Sequence, residues 1–153
     1  MTVEVMWKKY LELIGESLST SDKTYESWYF CNNEKDANHL AELTKKGIKR
    51  ATASLAKSYE LEKEPLPKEG EFHIVTDFYG NAVCIIEATK VELIPFKEVT
   101  EEHAAVEGEG DGSLAYWREG HLKFFTEEAH ALQFEFNESA LVVFMRFKVV
   151  YAQ

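Results

Sequence analysis

The chain has 153 residues, 45% hydrophobic and 29% charged, the make-up of one globular domain large enough to bury its own core. Acidic side chains outnumber basic ones by 27 to 17, for a net charge of −10. An electrostatic sleeve for duplex DNA is therefore not expected, whereas a local cationic pocket for one nucleotide or a short single strand remains open. No apolar run reaches the ~18 residues of a membrane span, so no membrane partner is expected. The N-terminus has no basic segment leading into an apolar one, and Cys31 and Cys84 lack any CxxC spacing. Both point to a cytoplasmic protein with reduced thiols.

Val3 to Ser17 carries Val5, Met6, Tyr10, Leu13 and Ile14 at helical spacing, and the polar Ser19–Lys23 stretch ends it. Tyr25 to Cys31 is aromatic-rich and too short for a helix. A second helix starts at Asn33, with Leu40, Ala41, Leu43 and Thr44 on one face, and stops at Gly47. Thr52 or Ser54 is expected to cap a third helix from Leu55 to Glu62, ended by Pro65 and Pro67. Glu71 to Tyr79 and Ala82 to Leu93 alternate as strands about a Tyr79-Gly80-Asn81 turn. Val99 to Ala105 predicts a short helix, and Glu107 to Gly112 an acidic glycine loop. Ser113 opens a helix reaching about Leu132, whose inner face is Leu114, Trp117, His121, Phe124 and Phe125. Leu141 to Tyr151 closes the chain as a long strand. Helices first and strands after, with one helix inserted, define an α+β domain.

Three segments could carry chemistry. In Gly47-Ile-Lys49-Arg50-Ala-Thr52 a glycine turn lets backbone approach a ligand, and a lysine and a threonine stand close enough to converge. Lysine can act as a base or an electrostatic anchor, and threonine as a nucleophile if a neighbour takes its proton. Set against this is a plain reading, a solvated helix end with a capping threonine. Glu87 sits on an apolar strand, either on a solvent face or in a cleft that suits proton donation. Glu107-Gly-Glu109-Gly-Asp111-Gly-Ser113 resembles a cation loop but lacks the remaining oxygen ligands of an EF-hand and the GKS of a P-loop. Asp111 or Ser113 capping the next helix is the simpler role. His103, His121 and His130 have no zinc-ligand spacing with the cysteines, so neither metal nor cofactor is expected. Trp28 and Trp117 belong to aromatic clusters that serve either core packing or base stacking.

Taken in order, Trp28-Tyr-Phe30, Gly47 to Thr52, Asp77-Phe-Tyr-Gly80, Ile85-Ile-Glu87, Pro95 to Val99, Glu107 to Leu114 and Trp117-Arg118 resemble the ASCH domain family. The likeness runs from about Tyr25 to the C-terminal strand. It implies a PUA-like fold, a small β-barrel with flanking helices, preceded here by a helical extension of about residues 1–24. It also implies a link to RNA or nucleotide metabolism. One branch of the family hydrolyses N4-acetylcytidine with a G-x-K-x-x-T segment and a later glutamate, which Gly47, Lys49, Thr52 and Glu87 match. In that scheme Lys49 activates Thr52, Thr52 attacks the amide carbonyl, and Glu87 protonates the leaving amine. Where the family often has arginine five positions after the lysine, this chain has Ser54.

The resulting expectation is a single domain over residues 1–153 acting as a nucleotide- or RNA-related hydrolase, with Lys49, Thr52 and Glu87 catalytic. Trp28, Gly47, Arg50, Asp111, Trp117 and Arg118 would bind substrate, a small nucleoside or nucleotide or a short single-stranded RNA. The alternatives are an ASCH-type, metal-assisted ribonuclease, a noncatalytic RNA- or nucleotide-binding module, and a protein binding some other small acyl compound. The oligomeric state is left open by the sequence.

Overall fold

The computed structural model describes all 153 residues. In chain order the elements are α1 (Val3–Leu13), β1 (Tyr25–Trp28), α2 (Glu34–Lys45), β2 (Ala51–Leu55), α3 (Ala56–Glu62), β3 (Phe72–Thr76) and β4 (Ala82–Pro95). A 3-10 turn at Phe96–Glu98 leads to α4 (Glu101–Glu107), α5 (Leu114–Ala131) and β5 (Leu141–Ala152). The strands run β1-β3-β4-β5-β2, so the sheet is open, with β1 and β2 as its edges. This is the α+β, PUA-like class expected from the sequence. No helix is long and apolar enough to cross a membrane.

The chain divides into two compact units. The first comprises Met1–Ile48, Glu69–Thr89 and Phe147–Gln153, and the second Lys49–Lys68 and Lys90–Arg146. In the first, β3 pairs antiparallel with β4 (Phe72↔Glu87) and parallel with β1 (Tyr25↔Phe72). The turn before β4 is held by the Asp77 carboxylate, which accepts from the backbone N–H groups of Tyr79 and Asn81. Met6, Trp7, Tyr10 and Leu11 of α1 pack on Phe72, Ile74 and Ile85. The inner face of α1 therefore differs from the expected one: Met6 and Tyr10 are buried, but Val5, Leu13 and Ile14 are exposed. Trp7 and Leu11 take their place, because rings of Tyr25 and Phe72 surround Trp7. On α2, Ala37, Leu40, Ala41 and Thr44 are buried.

In the second unit β2 pairs antiparallel with β5, from Ala51↔Arg146 to Leu55↔Val142. Thr52 and Ser54 therefore lie within a strand and cap no helix, since the ladder with β5 takes their backbone groups. The hydrophobic core here is Leu55, Phe96, Val99, Ala104, Trp117, Phe125 and Val142. Thr100 caps α4 in a reciprocal pair with His103, and Ser113 caps α5 as expected. Helix α4 runs two residues beyond the expected end. Glu107 thus closes a helix instead of opening the glycine loop, and it points inward.

Candidate functional site

The second unit buries four ionisable side chains against one another. Lys49, at the entry to β2, is 1% exposed, and Glu107 is equally buried. The Lys49 ammonium donates to the Ala51 carbonyl at 2.8 Å and to Glu107 Oε2 at 3.3 Å, and it lies 3.8 Å from Glu109. Glu107 is the C-terminal residue of α4, where the helix dipole disfavours an anion. It is offset by three donors. Besides Lys49, Trp117 Nε1–H donates to Oε1 at 2.8 Å, and His121 Nε2 is 3.1 Å from Oε2.

Helix α5 supplies Trp117 and His121 four residues apart, on one face. The His121 ring stacks on the Trp117 indole at 4.1 Å, and Nδ1 lies 2.9 Å from the Trp117 carbonyl. Burial works against the imidazolium, but the Glu107 and Glu109 charges outweigh it and raise the His121 pKa above its ordinary 6.5. Burial likewise works against the Glu107 carboxylate. There the charges of Lys49 and His121 prevail and hold the carboxyl well below its usual range. Glu109 behaves in the opposite way. Burial raises its carboxyl to about 7 despite Lys49, with the Glu107 charge adding to the rise. Glu107 is therefore held ionised, while Glu109 exchanges its proton near neutral pH. Such a pair gives the site a proton that can leave or return near neutral pH.

Glu107, Glu109 and His121 also offer three ligand atoms lying within 4.8 Å of one another, a set that could hold a divalent cation. In the arrangement observed, the Lys49 ammonium and the His121 imidazole both face the two carboxylates.

The expected site residues fall as follows. Thr52 is half-buried on β2, three residues after Lys49 in the same unit. Arg50 is exposed, and its backbone N–H donates to the Val106 carbonyl. Asp111 is exposed and accepts from the backbone N–H of Ser113; the Ser113 hydroxyl, and after it that N–H, lowers its pKa. Trp117 is 2% exposed and reaches the site through its indole N–H. The Arg118 guanidinium pairs with the Glu138 carboxylate and lies over the Phe96 ring. Three of the expected residues belong to the first unit. Gly47 follows the end of α2. Trp28 donates from Nε1 to His73 Nδ1 at 3.0 Å and meets Phe30 edge-on. Glu87 is paired with Lys148 at 3.4 Å. Sequence reasoning missed His121 as a site residue and Glu107 as a buried one. The signal available was the four-residue Trp117–His121 spacing, which puts an imidazole on an otherwise aromatic helix face.

Residues 26–151 match the ASCH domain family, and the chain belongs to it. Two solved structures are close over nearly the whole length. An ASCH domain from Lactobacillus crispatus JV V101 is 40% identical with a TM-score of 0.87, covering 97% of this chain and 93% of its own. Protein EF3133 from Enterococcus faecalis V583 is 34% identical with a TM-score of 0.85, covering 96% and 86% respectively. The hypothetical protein PH0355, 18% identical with a TM-score of 0.51 over 82% of this chain and 97% of its own, shares the fold alone. No curated protein sequence matches the chain.

Proposed function

We propose that the protein is a hydrolase of small acylated nucleosides of the N4-acylcytidine type, working through Lys49, Thr52 and the Glu107–Glu109 pair. The observation that carries this reading is the buried Lys49–Glu107 contact, joined by a second carboxyl that titrates near neutrality. Thr52 Oγ1 adds to the amide carbonyl carbon, and its proton passes to ionised Glu109. The Lys49 ammonium offsets the charge that develops on the carbonyl oxygen. The C–N bond then breaks, and the amine leaves with the proton from Glu109. Water cleaves the resulting threonine ester, giving a carboxylic acid and restoring the hydroxyl. Glu109, 3.8 Å from Lys49 before the carbonyl oxygen displaces it from the ammonium, takes the proton-donor role that the family resemblance gives to Glu87. The net charge of −10 favours a small substrate over a long polyanion.

A second reading, a noncatalytic RNA-binding module, rests on the PUA-like fold itself. One experiment separates them: purified protein is assayed with N4-acetylcytidine and with single-stranded RNA, alongside Thr52→Ala, Thr52→Ser and Glu109→Gln. The hydrolase reading expects turnover by wild type, partial activity in Thr52→Ser, and loss of about 10²-fold or more in Glu109→Gln, the range of a general acid–base group. No turnover of any acylated nucleoside, together with salt-dependent RNA binding that Thr52→Ala leaves unchanged, would establish the binding module instead.

A further inference from the structure

We propose that the Glu109 carboxylate occupies the seat of a ligand carboxylate or carbonyl oxygen on Lys49, and that ligands reach Lys49 when Glu109 swings out. The inference rests on the hydrolase reading for the ligand's identity and on the geometry for the seat itself.

The Lys49 ammonium is a compact charge with donors to share among its neighbours. Two neighbours are fixed parts of the fold, the Ala51 carbonyl in β2 and the Glu107 carboxylate at the end of α4. The third, Glu109, sits farther off at 3.8 Å, and its side chain is 16% exposed against 2% for Glu107. Of these two carboxylates, Glu109 is the one with a face toward solvent. With Lys49 1% exposed, taking Glu109's place is a direct route for an incoming oxygen to its ammonium.

The backbone around Glu109 suits that exchange. Gly108 and Gly110 flank it at φ +70° and +58°, both in the left-handed region where glycine moves without a Cβ penalty. No helix or strand includes residues 108–112, so the side chain can rotate away without breaking a ladder. A departing ligand fits the same seat. Amide hydrolysis yields a carboxylate, the group Glu109 itself presents, and its return would help expel the product.

Glu109→Ala tests the seat without any nucleoside, so its outcome is independent of whether the protein hydrolyses one. Lys49 is labelled with an amine-reactive reagent and quantified by peptide mass spectrometry, with and without sodium acetate, using sodium chloride at equal ionic strength as control. The proposal expects Lys49 labelling to rise about tenfold in Glu109→Ala, the factor given by ~1.4 kcal/mol of lost contact. Acetate should then suppress the labelling and raise the variant's Tm, while leaving wild type unchanged. Glu109→Gln, which keeps the side-chain volume, should label faster than wild type and slower than Glu109→Ala. Labelling equal to wild type in both variants, or an acetate effect no greater than that of chloride, overturns the proposal.

Discussion

Lys49 and Glu107, 58 positions apart in sequence, meet at 3.3 Å with almost no solvent contact on either side chain. Two buried charges lose their hydration on folding, and only their mutual attraction and further hydrogen bonds offset the loss. Removing one partner strands the other. Lys49→Met and Glu107→Gln are each expected to lower unfolding stability by about 3–5 kcal/mol in urea titrations. The Lys49→Met/Glu107→Leu double variant should cost less than the two single losses added together, because neither charge is left behind. Strict additivity would show that the contact carries no coupling.

Stability should decline as pH rises toward and past neutrality. Glu109, raised to about 7 chiefly by burial, holds a proton in the folded chain that the unfolded chain releases around 4.5. Over that window the unfolded state binds fewer protons, so rising pH favours it. The His121 imidazole, raised above 6.5, stabilises the fold fully below 6.5 and loses that contribution as pH climbs through its folded value. Glu107 acts oppositely: its contribution is present above 4.5 and is lost as pH falls through its depressed value. Calorimetric Tm should therefore fall between about pH 5 and pH 8, and Glu109→Gln should flatten the lower part of that fall while keeping the His121 part. An identical slope in the variant would remove Glu109 as its source.

Trp117 combines two roles that substitution can separate. Its ring fills the core with Phe96 and stacks on His121, and its N–H satisfies Glu107. Trp117→Phe keeps an aromatic ring but leaves a buried carboxylate short of one donor, an expected cost of about 1–3 kcal/mol. Trp117→Ala opens a cavity as well and should cost about 3–5 kcal/mol. No loss in Trp117→Phe would mean that the N–H contributes nothing, and equal losses in the two variants would mean that the cavity adds nothing.

The local parts of this fold were legible from spacing. Ser113 as a cap, the Asp77–Asn81 turn and the closing strand each follow from residues within a few positions of one another. Thr52 was misread because Thr-Ala-Ser before an apolar run looks like a cap, and only pairing with Met145, far along the chain, makes it a strand residue. The α1 face was misread for a similar reason: Val5 and Leu13 fit helical spacing as well as Trp7 and Leu11, and the aromatic partners of Trp7 decide between them. At the site, Lys49 was visible as part of a motif, but its environment was not. Glu107 and His121 come from other elements, and nothing in either local segment says which way a carboxylate at a helix end will point.

Gly110 sets the path of the loop that carries Glu109. Its φ of +58° is left-handed, and a Cβ there would run into the ring of Tyr116. The two penalties differ in how they can be relieved. Tyr116 is half exposed, so its ring can move aside, whereas the left-handed backbone costs an alanine about 1–2 kcal/mol whatever its surroundings. Gly110→Ala should therefore lower stability by at least that amount in urea titrations, and Tyr116→Ala introduced beside it should return only the part due to the clash. Because the loop must shift to accept alanine, Glu109 should be drawn from Lys49, and Lys49 labelling should rise in Gly110→Ala even with the carboxylate intact. A stability loss near zero, or full recovery on adding Tyr116→Ala, would show that the left-handed turn at Gly110 does not constrain the loop.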